Sequence, residues 1–477
     1  MRILHVASEC FPLVKVGGLG DVIGALPQVQ RAQSADARLL LPGFPGVKKG
    51  VEIKGRACVV PGTPGVGDAV VLKARTPAGV PLYVLDAPGL YGHAGNPYEE
   101  RGDSHYKAAA LCWVGAHLGV HGDGADWTPD IVHAHDWQAA LTPLYLAFSE
   151  GKRPRSVISI HNLAYQGLYV ESLLEDLKIP SEAFHMDGAE FYGQINFLKA
   201  GLAYADRILT VSPTYAKEIQ TPAGGCGLDG LLSRRAADLR GILNGADYEH
   251  WSPSKSPFLE NHYSLERPSA KRICKNTLQQ ELGLDEASGA PLFGIVSRLA
   301  PQKGLDLLLE NVDYLLALGA QFALLGTGEP ALEAAFARKA AEKPWQFAAR
   351  IGYDEGFAHR IIAGCDVLMV PSRQEPCGLT QIYALKFGTL PLVRRTGGLA
   401  DTVVDASEEN LHQDVATGFV FEPETAWVLG ETIGRTCALY RDHPKTWRQI
   451  QHRGMRQDFS WRIAAKHYLA FYRELSA

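Results

Sequence analysis

The chain has 477 residues, of which 46% are hydrophobic and 21% charged, a balance typical of globular α/β proteins with about two or three domains. The formal net charge of −5 is spread along the chain, without the basic stripe that marks a nucleic-acid-binding protein. The eight cysteines form no C-x-x-C pair, which argues against a disulfide framework and a zinc site. Because the sequence shows no signal-peptide pattern and no apolar run of membrane-spanning length, we expect a cytoplasmic protein.

Short apolar runs rich in β-branched residues alternate with helical patterns, which predicts βαβ units and buried parallel sheets. The predicted strands are Arg2–Ala7, Arg38–Leu41, Ile131–Ala134, Ser156–Ile160, Arg207–Val211, Leu292–Ser297, Phe322–Leu325, Asp366–Val370 and Leu390–Val393. The predicted helices are Asp21–Gln33, Trp137–Phe148, Gly304–Leu318, Pro330–Ala341, Leu379–Phe387 and Trp461–Leu475.

The alternation stops in a polar segment that contains HWSPSKSPFLENHYSLERPS, with three prolines and no clear period, which indicates a linker. We therefore predict a first domain over 1–243, a linker over 244–267, a second domain over 268–456 and a closing helix within 457–477. The simplest fold is α/β, with two doubly wound Rossmann-like domains facing a cleft. Ligands of such sheets gather at the carboxyl ends of the strands, and the informative residues follow strands.

The first strand is followed by the loop FPLVKVGGLGD, which contains Lys15, Gly18 and Asp21. Glycines let the backbone approach a ligand closely, and the N–H groups at a helix start attract anions. Lys15 adds a full positive charge. The alternative is a tight turn with a solvated lysine, and the loop matches neither G-x-G-x-x-G nor the Walker pattern.

Two further motifs, HAHDW (133–137) and IHNLAYQG (160–167), also follow apolar strands. The histidines do not indicate a metal, because H-E-x-x-H and a suitably spaced third ligand are missing. We expect His133 to close a strand end. Asp136, Trp137 and His161 are predicted to face the cleft, where an aromatic ring beside polar groups suits a sugar.

The strongest local signal is SRLAPQKG (297–304), in which a buried strand leads to Arg298 and Lys303 opens the next helix. Two cations at a strand end need an anion, and a diphosphate fits. The alternative is ordinary salt bridges with nearby carboxylates.

A similar strand–loop–helix passage, PSRQEPCGLTQIYALKFG, places Glu375 just before a helix. Its carboxylate suits sugar hydroxyls or a developing positive charge, although helix capping is the alternative. The backbone N–H groups that open the helix could bind phosphate or sugar oxygens, and they belong to Cys377, Gly378, Leu379 and Thr380. The Cys377 thiol itself is expected to be packed and inert.

Together the ordered motifs KVGGLGD, HAHDW, IHNLAYQG, VSPTYAKEI, ILNGAD, SRLAPQKG, EPCGLTQ and RRTGGLADTV resemble the bacterial glycogen synthase and plant starch synthase family. The resemblance covers nearly the whole chain. It implies the glycosyltransferase B (GT-B) fold, with the closing helix crossing back to the first domain. It also implies a retaining transfer of glucose from ADP-glucose to the non-reducing end of an α-1,4-glucan such as glycogen or a maltooligosaccharide, without a metal or cofactor.

The family pattern also implies residue roles. The diphosphate would be held by Lys15, Arg298 and Lys303, and the glucose by His161 and Glu375; these five form the implied catalytic set. The nucleotide would contact Gly18, Asp21, Asn244, Tyr353 and Thr380, with Tyr353 against adenine. Asp136 and Trp137 would lie toward the acceptor, and Asn162, Cys377, Gly378 and Leu379 complete the implied substrate-binding set.

Other classes fit the sequence less well. A nicotinamide oxidoreductase would need G-x-G-x-x-G followed by an acidic residue, which the first unit lacks. A glucan phosphorylase would need a pyridoxal-phosphate lysine and a longer chain. A non-catalytic glucan-binding protein would be expected to have lost some of the implied catalytic set, all of which is present. Sucrose-type transferases share parts of the second-domain pattern but not the first loop.

Overall fold

The computed structural model describes residues 1–93, 98–99, 101–286 and 289–476. The chain divides into two compact units: Met1–Gly245 with Trp461–Ala477, and Ala246–Ser460. All nine predicted strands and five of the six predicted helices are present, with ends that differ by a few residues. The sixth, Trp137–Phe148, is a 3₁₀ turn over Trp137–Ala139 followed by a helix over Leu141–Ala147. Among the described residues, none of the helices has the length and apolar character needed to cross a membrane.

The first unit is built on a nine-stranded sheet with a separate three-stranded sheet. Its strands are β1 (Arg2–Val6), β2 (Asp36–Pro42), β3 (Gly55–Thr63), β4 (Gly67–Arg75), β5 (Pro81–Asp86), β6 (Ile131–His135), β7 (Arg155–Ile160), β8 (Leu168–Val170), β9 (Glu190–Phe191), β10 (Gln194–Asn196), β11 (Arg207–Thr210) and β12 (Leu239–Gly241). Its first eight helices are α1 (Gly18–Ala32), α2 (Pro45–Gly50), α3 (Pro88–Tyr91), α4 (Ser104–His121), α5 (Leu141–Ala147), α6 (Phe197–Tyr204), α7 (Pro213–Glu218) and α8 (Asp229–Arg234).

The large sheet has the order β12-β11-β7-β6-β1-β2-β5-β4-β3. The strands from β12 to β5 are parallel, whereas β4 pairs antiparallel with both β5 and β3. Helix α1 buries Leu19, Val22, Ile23 and Leu26, the spacing of one apolar helical face. Strands β1, β6 and β7 lie side by side, so their carboxyl ends bring three loops to the same edge of the sheet.

The second unit contains a six-stranded parallel sheet with the order β15-β14-β13-β16-β17-β18. Its strands are β13 (Leu292–Val296), β14 (Gln321–Gly326), β15 (Phe347–Ile351), β16 (Val367–Val370), β17 (Leu390–Arg394) and β18 (Phe419–Phe421). Its helices are α9 (Ala270–Leu282), α10 (Leu305–Ala317), α11 (Pro330–Glu342), α12 (Glu355–Gly364), α13 (Thr380–Lys386), α14 (Gly397–Thr402), α15 (Glu408–His412), α16 (Ala426–Asp442) and α17 (Pro444–Arg456). The strand order reverses between β13 and β16, and such a switch point opens a crevice at the carboxyl ends.

The last helix, α18 (Trp461–Ser476), belongs to the first unit. Its buried Trp461, Tyr468 and Tyr472 share one apolar cluster with residues of α1. Gly245 is required where the chain passes this helix, because a Cβ there would collide with the Trp461 backbone. The segment predicted as a linker, 244–267, contains no helix or strand, and all of it beyond Gly245 lies in the second unit.

Candidate active site

A cavity of about 210 Å³ opens at the switch point of the second unit, between the ends of β13 and β16. Its polar lining residues are Ser297, Arg298, Lys303, Ser372, Glu375, Thr380 and Gln381, with Gly378 and Leu379 beside them. The structure thus brings together Arg298, Lys303 and Glu375, which are far apart in sequence. A parallel sheet explains the assembly, because each of these residues follows a strand or opens the next helix.

The two charged groups at the centre of this cavity form an ion pair. Lys303 Nζ lies 2.6 Å from Glu375 Oε2, and the hydroxyl of Ser372 donates to the same oxygen at 2.9 Å. The side chains are only 18% and 13% exposed. Glu375 therefore does not cap α13, whose N-cap is Leu379 without a side-chain hydrogen bond. The salt-bridge alternative holds for Lys303, whose ammonium still has two further donors.

Arg298 adds a second cation to the lining of the cavity. Arg298 is exposed, and no carboxylate within the described ranges forms an ion pair with its guanidinium. Helix α13 has only seven residues, so its backbone dipoles contribute less than these side chains to the attraction of an anion. The net positive charge of the cavity thus comes mainly from Arg298, since Glu375 offsets the charge of Lys303.

The turn before α13 depends on Gly378, which has a φ of +69°. A Cβ at this position would lie 2.5 Å from Gln381 Oε1 and 3.0 Å from Glu375 Cγ, so a side chain would disturb both. Cys377 is buried, and its carbonyl accepts a hydrogen bond from the Gln381 amide at 3.1 Å; this agrees with the packed thiol expected from the sequence. Tyr353 follows β15 and is 84% exposed.

In the first unit, Asp136 connects the ends of β6 and β7. Its Oδ1 accepts the backbone N–H of His161 at 2.9 Å and that of Asn162 at 3.4 Å. Burial raises the pKa of Asp136 to about 7, although these two N–H groups oppose the shift. Asp136 also has a φ of +59°, a conformation that an L-residue adopts at a cost and that clusters at functional sites.

The His161 ring is linked to a buried histidine cluster. Its Nε2 lies 3.1 Å from Nδ1 of His135, and His135 Nε2 lies 3.0 Å from Nδ1 of His5. Burial lowers the pKa of His161 to about 4. His133 bonds Tyr472 and Ser159. It lies in the middle of β6, so the expectation that it closes a strand end is wrong.

His5 is a third imidazole that the sequence spacing did not reveal. Together, His5, His133 and His135 lie close enough to one another to hold a metal ion. All six of their ring nitrogens, however, have hydrogen-bond partners among His161, Gln30, Tyr472, Ser159 and one another. The hydrogen bonds alone therefore account for the cluster. His5 could have been noticed as a polar residue in an otherwise apolar strand.

The glycine-rich loop is held by a carboxylate that the sequence analysis missed. Glu9 accepts the backbone N–H groups of Val16 and Gly17 at 2.6 and 2.9 Å, and the Tyr98 hydroxyl donates to it at 2.6 Å.

In the same loop, Lys15 Nζ lies 2.7 Å from Asp21 Oδ1, with both side chains partly exposed. Gly18 begins α1, and a Cβ there would contact nothing within 4 Å.

A larger cavity of about 380 Å³ lies within the first unit. Its aromatic lining consists of Phe44, Tyr91, Tyr98, Trp137, Tyr165 and Tyr169. Gly167 lets Trp137 pack closely, because a Cβ there would lie 2.5 Å from the indole ring. Aromatic walls with polar rims are suited to sugar rings. Asn244, which does not line this cavity, lies after β12 in the same unit and is buried.

Comparison with known proteins agrees with these features. Residues 2–234 match the family description "starch synthase catalytic domain", and residues 290–437 match "glycosyl transferases group 1". Glycogen synthase of Yersinia pestis (strain Pestoides F) is 50% identical over 482 residues, which cover 100% of both chains. The catalytic domain of starch synthase IV from Arabidopsis thaliana, solved with ADP and acarbose, has a TM-score of 0.88 and 29% identity, and the match covers 100% of this chain and 99% of that one.

A more distant structure, sucrose-phosphate synthase from Thermosynechococcus elongatus, has a TM-score of 0.59 and 17% identity, with 99% of this chain and 98% of that chain covered; it supports the fold alone. Sheet order, strand-end cavities and these matches define a glycosyltransferase with the GT-B fold, as predicted. The chain belongs to the glycogen synthase family. It is an enzyme of glycogen biosynthesis that transfers a glycosyl group from a nucleotide-sugar donor to a glucan acceptor, so the oxidoreductase and non-catalytic alternatives are wrong.

Proposed function

We propose that the donor is ADP-glucose and that glucose is added, with retention of the α configuration, to the non-reducing end of an α-1,4-glucan. The observation that carries this proposal is the cavity at the β13–β16 switch point, where two cations and one carboxylate meet. The Arabidopsis relative, which was solved with ADP and acarbose, supports an adenine nucleotide. We also propose that the reaction takes place in the cytoplasm, in keeping with the scattered cysteines.

On the donor side, Arg298 and Lys303 bind the diphosphate, and Lys15 supplies a third cation. Cleavage of the sugar–phosphate bond leaves a negative charge on the phosphate, and fixed positive groups in a partly buried site stabilise that charge. Glu375 binds glucose hydroxyls, and its pairing with Lys303 at 2.6 Å holds both groups in place. Thr380, Tyr353, Gly18, Asp21 and Asn244 contact the nucleotide. The turn at Cys377, Gly378 and Leu379 contributes backbone N–H groups.

On the acceptor side, the aromatic cavity of the first unit binds the glucan. Trp137 offers an apolar face to a sugar ring, and Asp136 accepts a hydrogen bond from a sugar hydroxyl. His161 and Asn162, whose backbone positions are tied to Asp136, contact the glucose being transferred. In the reaction, the acceptor oxygen forms a bond to the anomeric carbon as the bond to phosphate breaks. The departing phosphate takes the hydroxyl proton, so no second carboxylate is required.

The direct test is the incorporation of labelled glucose into glycogen from ADP-glucose and from UDP-glucose. We expect transfer mainly from ADP-glucose, into product that an α-1,4-specific glucanase releases. Arg298→Ala should lower kcat/KM about 100-fold, as expected for loss of a charge that stabilises the transition state. Arg453→Ala is the matched control, because Arg453 pairs with Asp414 in the same unit and does not line the cavity. A folded protein that transfers from neither donor would refute the proposal.

A further inference from the structure

A continuous chain of hydrogen bonds connects His161 to helix α1 through the interior of the first unit. His161 Nε2 lies 3.1 Å from His135 Nδ1, and His135 Nε2 lies 3.0 Å from His5 Nδ1. The far nitrogen of His5, Nε2, lies 2.8 Å from the side-chain oxygen of Gln30. His5, His135 and Gln30 are fully buried, so bulk water cannot replace any of these partners.

The three imidazoles are neutral at pH 7. Burial lowers the pKa of His5 and of His161 to about 4, and that of His135 well below its usual value. A neutral imidazole has one N–H donor and one acceptor nitrogen. Every ring in the chain must therefore donate on one side and accept on the other, and the whole chain can run in only two directions.

The amide of Gln30 selects one direction. Because its oxygen accepts from His5 Nε2–H, His5 Nδ1 must accept from His135 Nε2–H. By the same logic, His135 Nδ1 accepts from His161 Nε2–H. The last step leaves Nδ1 of His161 without a proton, since the hydrogen bond at one ring nitrogen determines the role of the other.

We propose that Gln30 is a positioning residue that acts through His5 and His135 to hold His161 in the Nε2–H tautomer. His161 Nδ1 then accepts a hydrogen bond from a hydroxyl of the transferred glucose. This second statement rests on the proposed function, which assigns His161 to the glucose, whereas the tautomer itself does not.

The variant Gln30→Met keeps the side-chain volume but removes the acceptor. The original direction would leave a buried His5 N–H without a partner, which is costly, so we expect the chain to reverse. His161 Nδ1 then carries the proton and can no longer accept. We expect kcat to fall about tenfold or more, the scale at which loss of a buried hydrogen bond changes a binding equilibrium, with a smaller rise in the KM for the donor.

The matched control is Ser159→Ala. The Ser159 hydroxyl bonds His133 Nε2 at 2.7 Å, and the His133 ring centroid lies 4.0 Å from that of His135. His133 belongs to the same cluster but is not a link between His161 and Gln30. This variant also removes a buried hydrogen bond, so it reproduces any general loosening of the cluster. We expect the tautomer of His161 and kcat to stay unchanged.

The tautomer is measured directly by nitrogen–proton correlation spectra of the full-length protein labelled with ¹⁵N-histidine, with His161 assigned by its absence in His161→Asn. Wild type should show the Nε2–H form, Gln30→Met the Nδ1–H form or a mixture, and Ser159→Ala the wild-type form. An Nδ1–H form in wild type, or an unchanged tautomer in Gln30→Met, would overturn the proposal.

If Gln30→Met fails to fold, His5→Leu cuts the chain one link closer to His161 and should give the same change of tautomer. If neither variant folds, the wild-type spectrum still decides between the two directions. If the tautomer is as expected but His161→Asn transfers glucose at the wild-type rate, the role assigned to His161 is at fault and the hydrogen-bonded chain stands.

Discussion

The carboxyl edges of the two large sheets use different polar chemistry. At the edge of the second unit, charged groups meet: Lys303 pairs with Glu375, and Arg298 lines the same cavity. At the edge of the first unit, the loop after β1 carries Glu9 and the Lys15–Asp21 ion pair. The groups next to His161, however, are imidazoles without charge and an aspartate, Asp136, whose pKa is raised to about 7. Both edges belong to parallel sheets, so the difference comes from the side chains and not from the fold.

The charged groups of the second unit provide fixed charges, whereas the groups near His161 in the first unit provide hydrogen bonds that depend on pH. Arginine and lysine side chains bring full positive charges, which suits the stabilisation of a phosphate leaving group. Neutral rings and a carboxyl that titrates near pH 7 instead provide hydrogen bonds whose direction and strength can change. We therefore expect substitutions at the charged edge to affect the rate most, and changes of pH to act mainly on the first unit.

The largest effect is expected for Lys303→Met. Loss of the ammonium removes a charge that stabilises the leaving group and leaves Glu375 unpaired in a partly buried site, so kcat should fall by roughly 100- to 1,000-fold. Glucosyl transfer from ADP-glucose is the measurement. Lys339→Met is the control, since Lys339 forms an ion pair with Asp313 in the same unit but does not line the cavity. Comparable losses in the two variants would contradict the special role of the charged edge.

Acid should destabilise the first unit before the second. His5 is neutral in the folded protein with a pKa of about 4, whereas its usual value is 6.5. Stability is therefore lost as the pH falls from about 6.5 to about 4, and this shift alone corresponds to roughly 3 kcal/mol. Burial also lowers the pKa values of His133, His135 and His161. Among the described histidines of the second unit, burial lowers the pKa of His359 alone.

Asp136 acts in the opposite sense, because its raised pKa favours the folded state as the pH falls from about 7 toward 4. The four histidines outnumber it, so the net effect remains acid instability. Hydrogen exchange followed by mass spectrometry across pH 7 to 4 can compare β1, β6 and β7 with β13, β14 and β16. If the second unit lost protection at a higher pH than the first, the expected order of acid destabilisation would be wrong.

Asp136→Asn should alter the pH dependence of the reaction more than its maximal rate. The amide oxygen can still accept the His161 and Asn162 N–H groups but cannot titrate. In wild type, the glucan KM should fall severalfold as the pH rises through about 7, since an ionised carboxylate is the stronger acceptor for a sugar hydroxyl. In Asp136→Asn this dependence should disappear. Initial rates across glucan concentration at pH 6 to 8 provide the measurement, and a persistent inflection would assign it to another group.

The nine predicted strands, five of the six predicted helices and the charged edge could be predicted because their signals are local. Apolar runs predict buried strands; Arg298 follows one within two residues, and Glu375 stands in the loop between another and the next helix. The hairpin of β3 and β4 was missed because β3 contains both Gly55 and Pro61, residues that usually interrupt strands.

The hydrogen-bonded chain behind His161 depends on strand order, which local patterns do not contain. His5 and His133 are paired in register only because β1 lies beside β6, and Gln30 reaches His5 from the facing side of α1. Glu9 was overlooked for a related reason, since its partners Val16 and Gly17 offer backbone N–H groups that no sequence motif shows.

The smallest effect is expected for Tyr353→Ala, which tests whether an uncharged group matters at the charged edge. Tyr353 is 84% exposed, so little packing holds its ring in place for a base, and stacking on such a ring contributes about 1 kcal/mol, the low end of the range. The KM for ADP-glucose should therefore rise about fivefold while kcat changes little, because the ring does not touch the reacting bond. Tyr353→Phe keeps the stacking surface and should behave like wild type. If Tyr353→Ala instead lowered kcat as strongly as Lys303→Met, the rate would depend on how the base is seated, and the contrast between a charged and a neutral edge would not explain catalysis.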